Sequence, residues 1–134
     1  APFLDAIAAK DDNNLPCCTY VGKEGSGHFV KMVHNGIEYV EMQLLAEVVN
    51  ILKLSGNNYD VIADILESWK SVADSYILEI TIKILRKKEG SGWLVDKIMD
   101  KAGNKGTGNC TTIATAELGA PSTLIPAALC ARYS

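Results

Sequence analysis

Apolar residues recur at helical spacing along most of the chain. From His28 to about Leu54, Phe29, Val30, Val33, Ile37, Val40, Leu44, Leu45, Val48, Ile51 and Leu52 spread around much of a helix circumference. Such all-round apolarity is expected of a central, buried helix, which at about 1.5 Å per residue would run roughly 40 Å. Gly25-Ser26-Gly27 opens it and Gly56 ends it. Asn58 can cap a second helix through DVIADILESWK. A third, from about Ser75 to Lys88, closes on Arg86-Lys87-Lys88, which suits the negative end of a helix dipole. Shorter helices are expected over 3–10, over LVDKIMDKAG with Gly103 as a cap, from Cys110 to Leu118 with Gly119 as a stop, and from about Pro121 to Arg132. CCTYV at 17–21 reads as a single strand whose sheet would lie elsewhere. Gly90-Ser91-Gly92 reads as a flexible link. The fold class is therefore all-α and multihelical: one long central helix with shorter helices packed around it, plus one residual strand near the N-terminus.

Composition narrows the function classes. The 134 residues are one domain's length, and 48% are hydrophobic, enough for a core. Thirteen basic against sixteen acidic side chains leave a net charge of −3, which does not suit nucleic acid. Every apolar run is broken well before the length of a membrane span, and the N-terminus lacks the pattern of a signal peptide. Cys17, Cys18, Cys110 and Cys130 form no C-x-x-C pair and have no clustered His beside them, so reduced thiols in a cytoplasmic protein without a metal site are expected.

The chemistry concentrates on the long helix. At about 100° per residue, with Lys31 at zero, Asn35 falls near ~40°, Glu38 near ~340° and His34 near ~300°. An amine, an imidazole, an amide and a carboxylate thus share one face, bordered by Tyr39. Such a stripe is either a solvated surface or the edge of an active site, where a buried Lys can act as a base and a Glu in an apolar setting as an acid. Gly36 points away from the stripe, toward close helix packing.

The glycine loops carry less. Neither G-x-G-x-x-G nor G-x-x-x-x-G-K-[ST] occurs in the chain. Lys105-Gly106-Thr107-Gly108 precedes a helix, where backbone N–H groups favour an anion, but the motif alone reads first as an ordinary turn with a Thr cap.

These residues carry a resemblance. YVGKEGSGHFVKMVHNGIEYVEMQ at 20–43 resembles the central helix of decarboxylating 6-phosphogluconate dehydrogenases. AGNKGTGNCT at 102–111 resembles their phosphate loop, and the run from Thr123 to Arg132 their following helix. Asn109-Cys110 stands where Lys-Trp commonly follows the family's GTG. The resemblance implies an oxidoreductase of the pentose phosphate pathway with NADP as cofactor, converting 6-phosphogluconate to ribulose 5-phosphate. Hydride leaves C3, the 3-keto acid loses carbon dioxide, and the enediol is protonated. It further implies Lys31 as the base for the C3 hydroxyl and Glu38 as the acid for the enediol. His34 and Asn35 would bind the sugar acid, and Tyr39, Lys105, Thr107 and Arg132 its phosphate. Residues 1–22 would be the end of a Rossmann domain that binds most of the cofactor, and 23–134 the first half of a helical substrate and dimerisation domain. The chain would be a fragment, inactive alone.

Two other readings stay in play. One is a different β-hydroxyacid dehydrogenase, which would share a simpler Gly27, Lys31, Asn35 skeleton; the Lys105–Thr107 loop and Arg132 favour a phosphorylated substrate instead. The other is a helical association module without catalysis. Half a domain built on a long apolar helix would expose a wide patch, so a homodimer is expected.

Overall fold

The structure, a computed structural model, describes residues 2–133. It divides into two compact units, Ala1–Lys31 and Met32–Ser134.

The first unit starts with the helix α1, Pro2–Ile7. Pro2 suits this position, because the N–H it lacks would have no intrahelical partner. Asp11 then organises a turn, its carboxylate accepting from the N–H groups of Asn13 (2.9 Å) and Leu15 (2.8 Å). The chain doubles back far enough for a single bridge between Lys10 and Pro16. The strand expected at 17–21 is absent: those residues join no ladder. Their β-branched and aromatic side chains favour a sheet only where a neighbouring strand takes up the backbone groups. The helix α2, Ser26–Leu54, has its first turns in this unit and starts two residues before the expected His28.

In the second unit the rest of α2 is followed by α3 (Tyr59–Ala73) and α4 (Tyr76–Arg86). Both start on side-chain caps. Asn58 accepts from the Val61 N–H at 3.0 Å, as the sequence suggests, and Ser75 accepts from Leu78 at 3.0 Å. The Ser75 hydroxyl also donates to Glu41 on α2, tying the two helices. Ile62, Ala63 and Leu66 of α3 meet Leu78, Ile82 and Leu85 of α4 in the main core, and Leu45, Val48 and Leu52 of α2 lean on it.

Here α2 departs from expectation. Only Gly36 and Tyr39 are buried along it, while Ile37 (57%), Leu44 (49%) and Ile51 (61%) are exposed. A helix apolar on every side needs neighbours on every side, and α2 has them over part of its circumference. The GSG link is also more ordered than expected. It forms a two-residue turn between β1 (Lys88–Glu89) and β2 (Gly92–Trp93), with Gly90 at φ +63°. Lys88 reaches Asp60 at 2.6 Å and lies over the Trp93 ring, whose edge meets Tyr59.

The helix expected over 94–103 shrinks to one 3₁₀ turn, Leu94–Lys97. So short a helix is marginal in water, and a tertiary bond takes hold of it instead, from the Tyr59 hydroxyl to Asp96 at 2.9 Å. The last helices are α5 (Thr107–Glu117), starting three residues before Cys110, and α6 (Leu124–Ala131), shorter than Pro121–Arg132. No helix among the described residues is long and apolar enough to cross a membrane.

Leu66 is fully enclosed between α3 and α4. Leu66→Ala should cost about 2–5 kcal/mol in urea unfolding, and Asn58→Ala about 1 kcal/mol. The Lys88 hydrogen bond holds the Asp60 carboxyl below its usual range. A depressed carboxylate stabilises the fold above its unfolded pKa, and that contribution fades as pH falls through the folded value. An Asp60→Asn variant should therefore lose less stability on acidification than the parent.

Candidate functional site

The site rests on a reciprocal contact between α2 and α5. A Cβ on Gly36 would come within 2.8 Å of Thr111 Cγ2, and one on Gly108 within 2.7 Å of the Tyr39 ring. Each helix thus supplies one glycine and, three residues on, one larger side chain that fills the other's gap. Thr111 is fully buried, and its hydroxyl lies 2.9 Å from the Met32 carbonyl and 2.8 Å from that of Thr107. The packing role read for Gly36 is what the structure shows. Its partner Gly108 reads in the sequence only as part of a loop, although Gly36-x-x-Tyr39 and Gly108-x-x-Thr111 share one spacing that could have paired them.

Tyr39, so seated, carries Arg132. The guanidinium carbon stands 3.6 Å from the centre of the Tyr39 ring, within cation–π range. Arg132 also donates through Nη1 to the Gly103 carbonyl at 2.8 Å. Tyr39 in turn packs with Val40, Ala128 and Leu129 in a second, smaller core. Ahead of α5, Gly106 takes φ +97°, a left-handed conformation that suits glycine, and offers no side-chain cap. The first N–H groups of a helix have no intrahelical partner, and here Thr107 opens the helix with its N–H groups directed at whatever lies before it. Lys105 is exposed in the same turn and Thr107 is half-buried.

The remaining residues from the sequence reading lie along α2. His34 Nδ1 stands 3.2 Å from Glu38 Oε2, an i,i+4 pair on one face. Asn35 is half-buried. Lys31 is the last residue of the first unit and is exposed. Tyr39 and Arg132 are thus in direct contact, with Thr107 one residue from the Gly108 that meets Tyr39, and His34 is in contact with Glu38. Asn104 was missed. Its Oδ1 accepts from the Gly106 N–H at 2.8 Å, and Asn is a turn-former two residues before a glycine, which was the available signal.

The model of the 6-phosphogluconate dehydrogenase C-terminal domain matches residues 27–134. The chain belongs to that family. A decarboxylating 6-phosphogluconate dehydrogenase of Haemophilus ducreyi is 52% identical over 134 residues, which cover 98% of this chain and 28% of that protein. The enzyme of the same name from Drosophila melanogaster is 50% identical over 98% of this chain and 27% of its own length. A 6-phosphogluconate dehydrogenase structure from Plasmodium falciparum, studied without ligand, with its cofactor NADP+ and with its substrate 6-phosphogluconate, superposes with a TM-score of 0.83 at 42% identity. It covers 92% of this chain and 27% of the other. The all-helical fold of the 6-phosphogluconate dehydrogenase domain is therefore shared, and the chain spans a little over a quarter of these relatives.

The glycine contacts make a direct prediction. Gly36→Ala should destabilise the chain by about 1–3 kcal/mol, the usual cost of overpacking, with Gly108→Ala similar. Adding Thr111→Ser to Gly36→Ala removes the methyl that the new Cβ meets first. Denaturant melts of the double variant should recover part of the loss; no recovery would place the strain elsewhere.

Proposed function

We propose that this chain supplies the sugar-acid side of an NADP-dependent, cytoplasmic enzyme that oxidatively decarboxylates 6-phosphogluconate to ribulose 5-phosphate. The observation that carries this is Arg132 stacked on Tyr39, on the helix that bears His34, Asn35 and Glu38. Within this reading 1–22 end a cofactor-binding domain, and 23–134 form the first half of the helical substrate domain. Among the described residues no strand, glycine turn and helix combine into a dinucleotide cradle. In this reading NADP is held mainly by that cofactor-binding domain, and the roles given to the residues here are anion binding and proton handling.

The substrate carries a phosphate at one end and a carboxylate at the other. Lys105, Thr107, Arg132 and the unpaired N–H groups of α5 hold the phosphate, where charge-assisted hydrogen bonds are strong and Arg is suited to a tetrahedral anion. Tyr39 keeps the Arg132 plane in place and offers its hydroxyl to the same group. His34 and Asn35 bind the sugar acid. Lys31 takes the proton of the C3 hydroxyl, while the hydride on C3 would pass to NADP, which supplies the oxidation when bound. Carbon dioxide then leaves the 3-keto acid, and Glu38 returns a proton to the carbon that lost it. A homodimer belongs to the same reading: the exposed Ile37, Leu44 and Ile51 of α2 call for cover, from the rest of the helical domain or from a second copy.

In the full-length protein, Lys31→Met should lower kcat by about 10²–10⁴-fold, the usual contribution of a general base. Near-normal turnover would remove that assignment. Lys105→Ala and Arg132→Ala should chiefly raise KM for 6-phosphogluconate, with a smaller effect on unphosphorylated gluconate. Equal losses on both substrates would take these residues out of the phosphate site. Sedimentation at micromolar concentration reads the assembly, and a single monomeric species would exclude the dimer.

A further inference from the structure

Asn104 bonds to three segments of the second unit at once. Its Oδ1 accepts from the Gly106 N–H at 2.8 Å and lies 3.5 Å from the Tyr39 hydroxyl of α2. Its Nδ2 donates to the Tyr133 hydroxyl, beyond the end of α6, at 2.6 Å. The residue before it, Gly103, accepts from Arg132. Two consecutive residues, 103 and 104, therefore hold two others, 132 and 133. The bond to Gly106 does a second thing. It turns that N–H inward, closes the turn in which Gly106 reaches φ +97°, and lets α5 begin at Thr107.

We infer that Asn104 is a positioning residue for the anionic end of the substrate, setting the Lys105–Thr107 turn and Arg132 in register with each other. The inference rests on the phosphate site proposed above. Asn104 touches the substrate only through what it holds, so it acts on binding and leaves proton transfer to other groups. An aliphatic side chain in its place would free the Gly106 N–H and release Tyr133 together.

Steady-state kinetics of the full-length protein test this. Asn104→Ala should raise KM for 6-phosphogluconate about three- to tenfold, the worth of one or two hydrogen bonds, with kcat within about twofold of the parent. Competitive inhibition by inorganic phosphate should weaken in parallel. Asn104→Ser, whose hydroxyl can still accept from the N–H two residues on, should recover the part of the loss that belongs to the Gly106 bond. Tyr133→Phe removes only one of the three contacts, at an exposed side chain, and should shift KM the same way but less. It decides the matter if Asn104→Ala does not fold. A purely structural Asn104 would lower Tm and the active fraction and leave KM unchanged. Unchanged KM in Asn104→Ala, or in Tyr133→Phe where that variant decides, while Lys105→Ala raises it, would overturn the inference. Unchanged KM in Lys105→Ala would instead sink the phosphate site itself.

Discussion

The candidate site depends on two places where α2 and α5 approach too closely for a side chain. Gly36 admits Thr111 and Gly108 admits the Tyr39 ring, with Cβ clearances under 3 Å on both sides. Ridges of ordinary side chains hold helix axes about 8–10 Å apart, and glycine lets the backbones come nearer. Close approach also brings the Thr111 hydroxyl to the Met32 carbonyl, so the helices are joined by a hydrogen bond as well as by contact. With α5 set against α2, its N-terminal end is set relative to Tyr39, and through Tyr39 relative to Arg132. The placing of Tyr39, Arg132 and the start of α5 follows from that one crossing.

The main core is a separate construction. Ile62, Leu66, Leu78, Ile82 and Leu85 are buried between α3 and α4, and the side chains that α2 adds to it come from residues 45–52. Tyr39 belongs to the smaller cluster with Ala128 and Leu129. The two clusters share α2 and no residue. Stability and site geometry can therefore vary with some independence, since distant sites without common partners act nearly additively. The same division accounts for the exposed Ile37, Leu44 and Ile51, which belong to neither cluster.

The polar links repeat one device, a side chain that bonds to two elements. Ser75 caps α4 while donating to Glu41 of α2. Tyr59 opens α3 and bonds to Asp96 in the 3₁₀ turn. Asn104 closes its own turn and holds Tyr133. Ser75 and Asn104 also satisfy a local backbone requirement, so their long-range bonds add little further ordering entropy.

The long segments were legible in the sequence, because helical periodicity, the cap Asn58 and the stop at Gly119 act within a few residues. So was the polar stripe, since any helix over 31–39 places Lys31, His34, Asn35 and Glu38 on one side. The functional roles came from resemblance, as HFVKMVHNGIEY and NKGTG carry a family that the match over 27–134 bears out. Where pairing between distant residues decides, local pattern failed. The run at 17–21 has strand propensity and no strand beside it. Residues 94–103 have a helical pattern, yet they keep one 3₁₀ turn held by Tyr59. Asn104 sits in a turn, and only its neighbours across the fold make it a junction. By itself the sequence determined the long helices and the chemical groups on them, because backbone propensity and side-chain period are local quantities. The tertiary structure alone decided which groups meet, because Gly36 with Thr111, Tyr39 with Arg132 and Asn104 with Tyr133 are joined by packing between segments far apart in the chain.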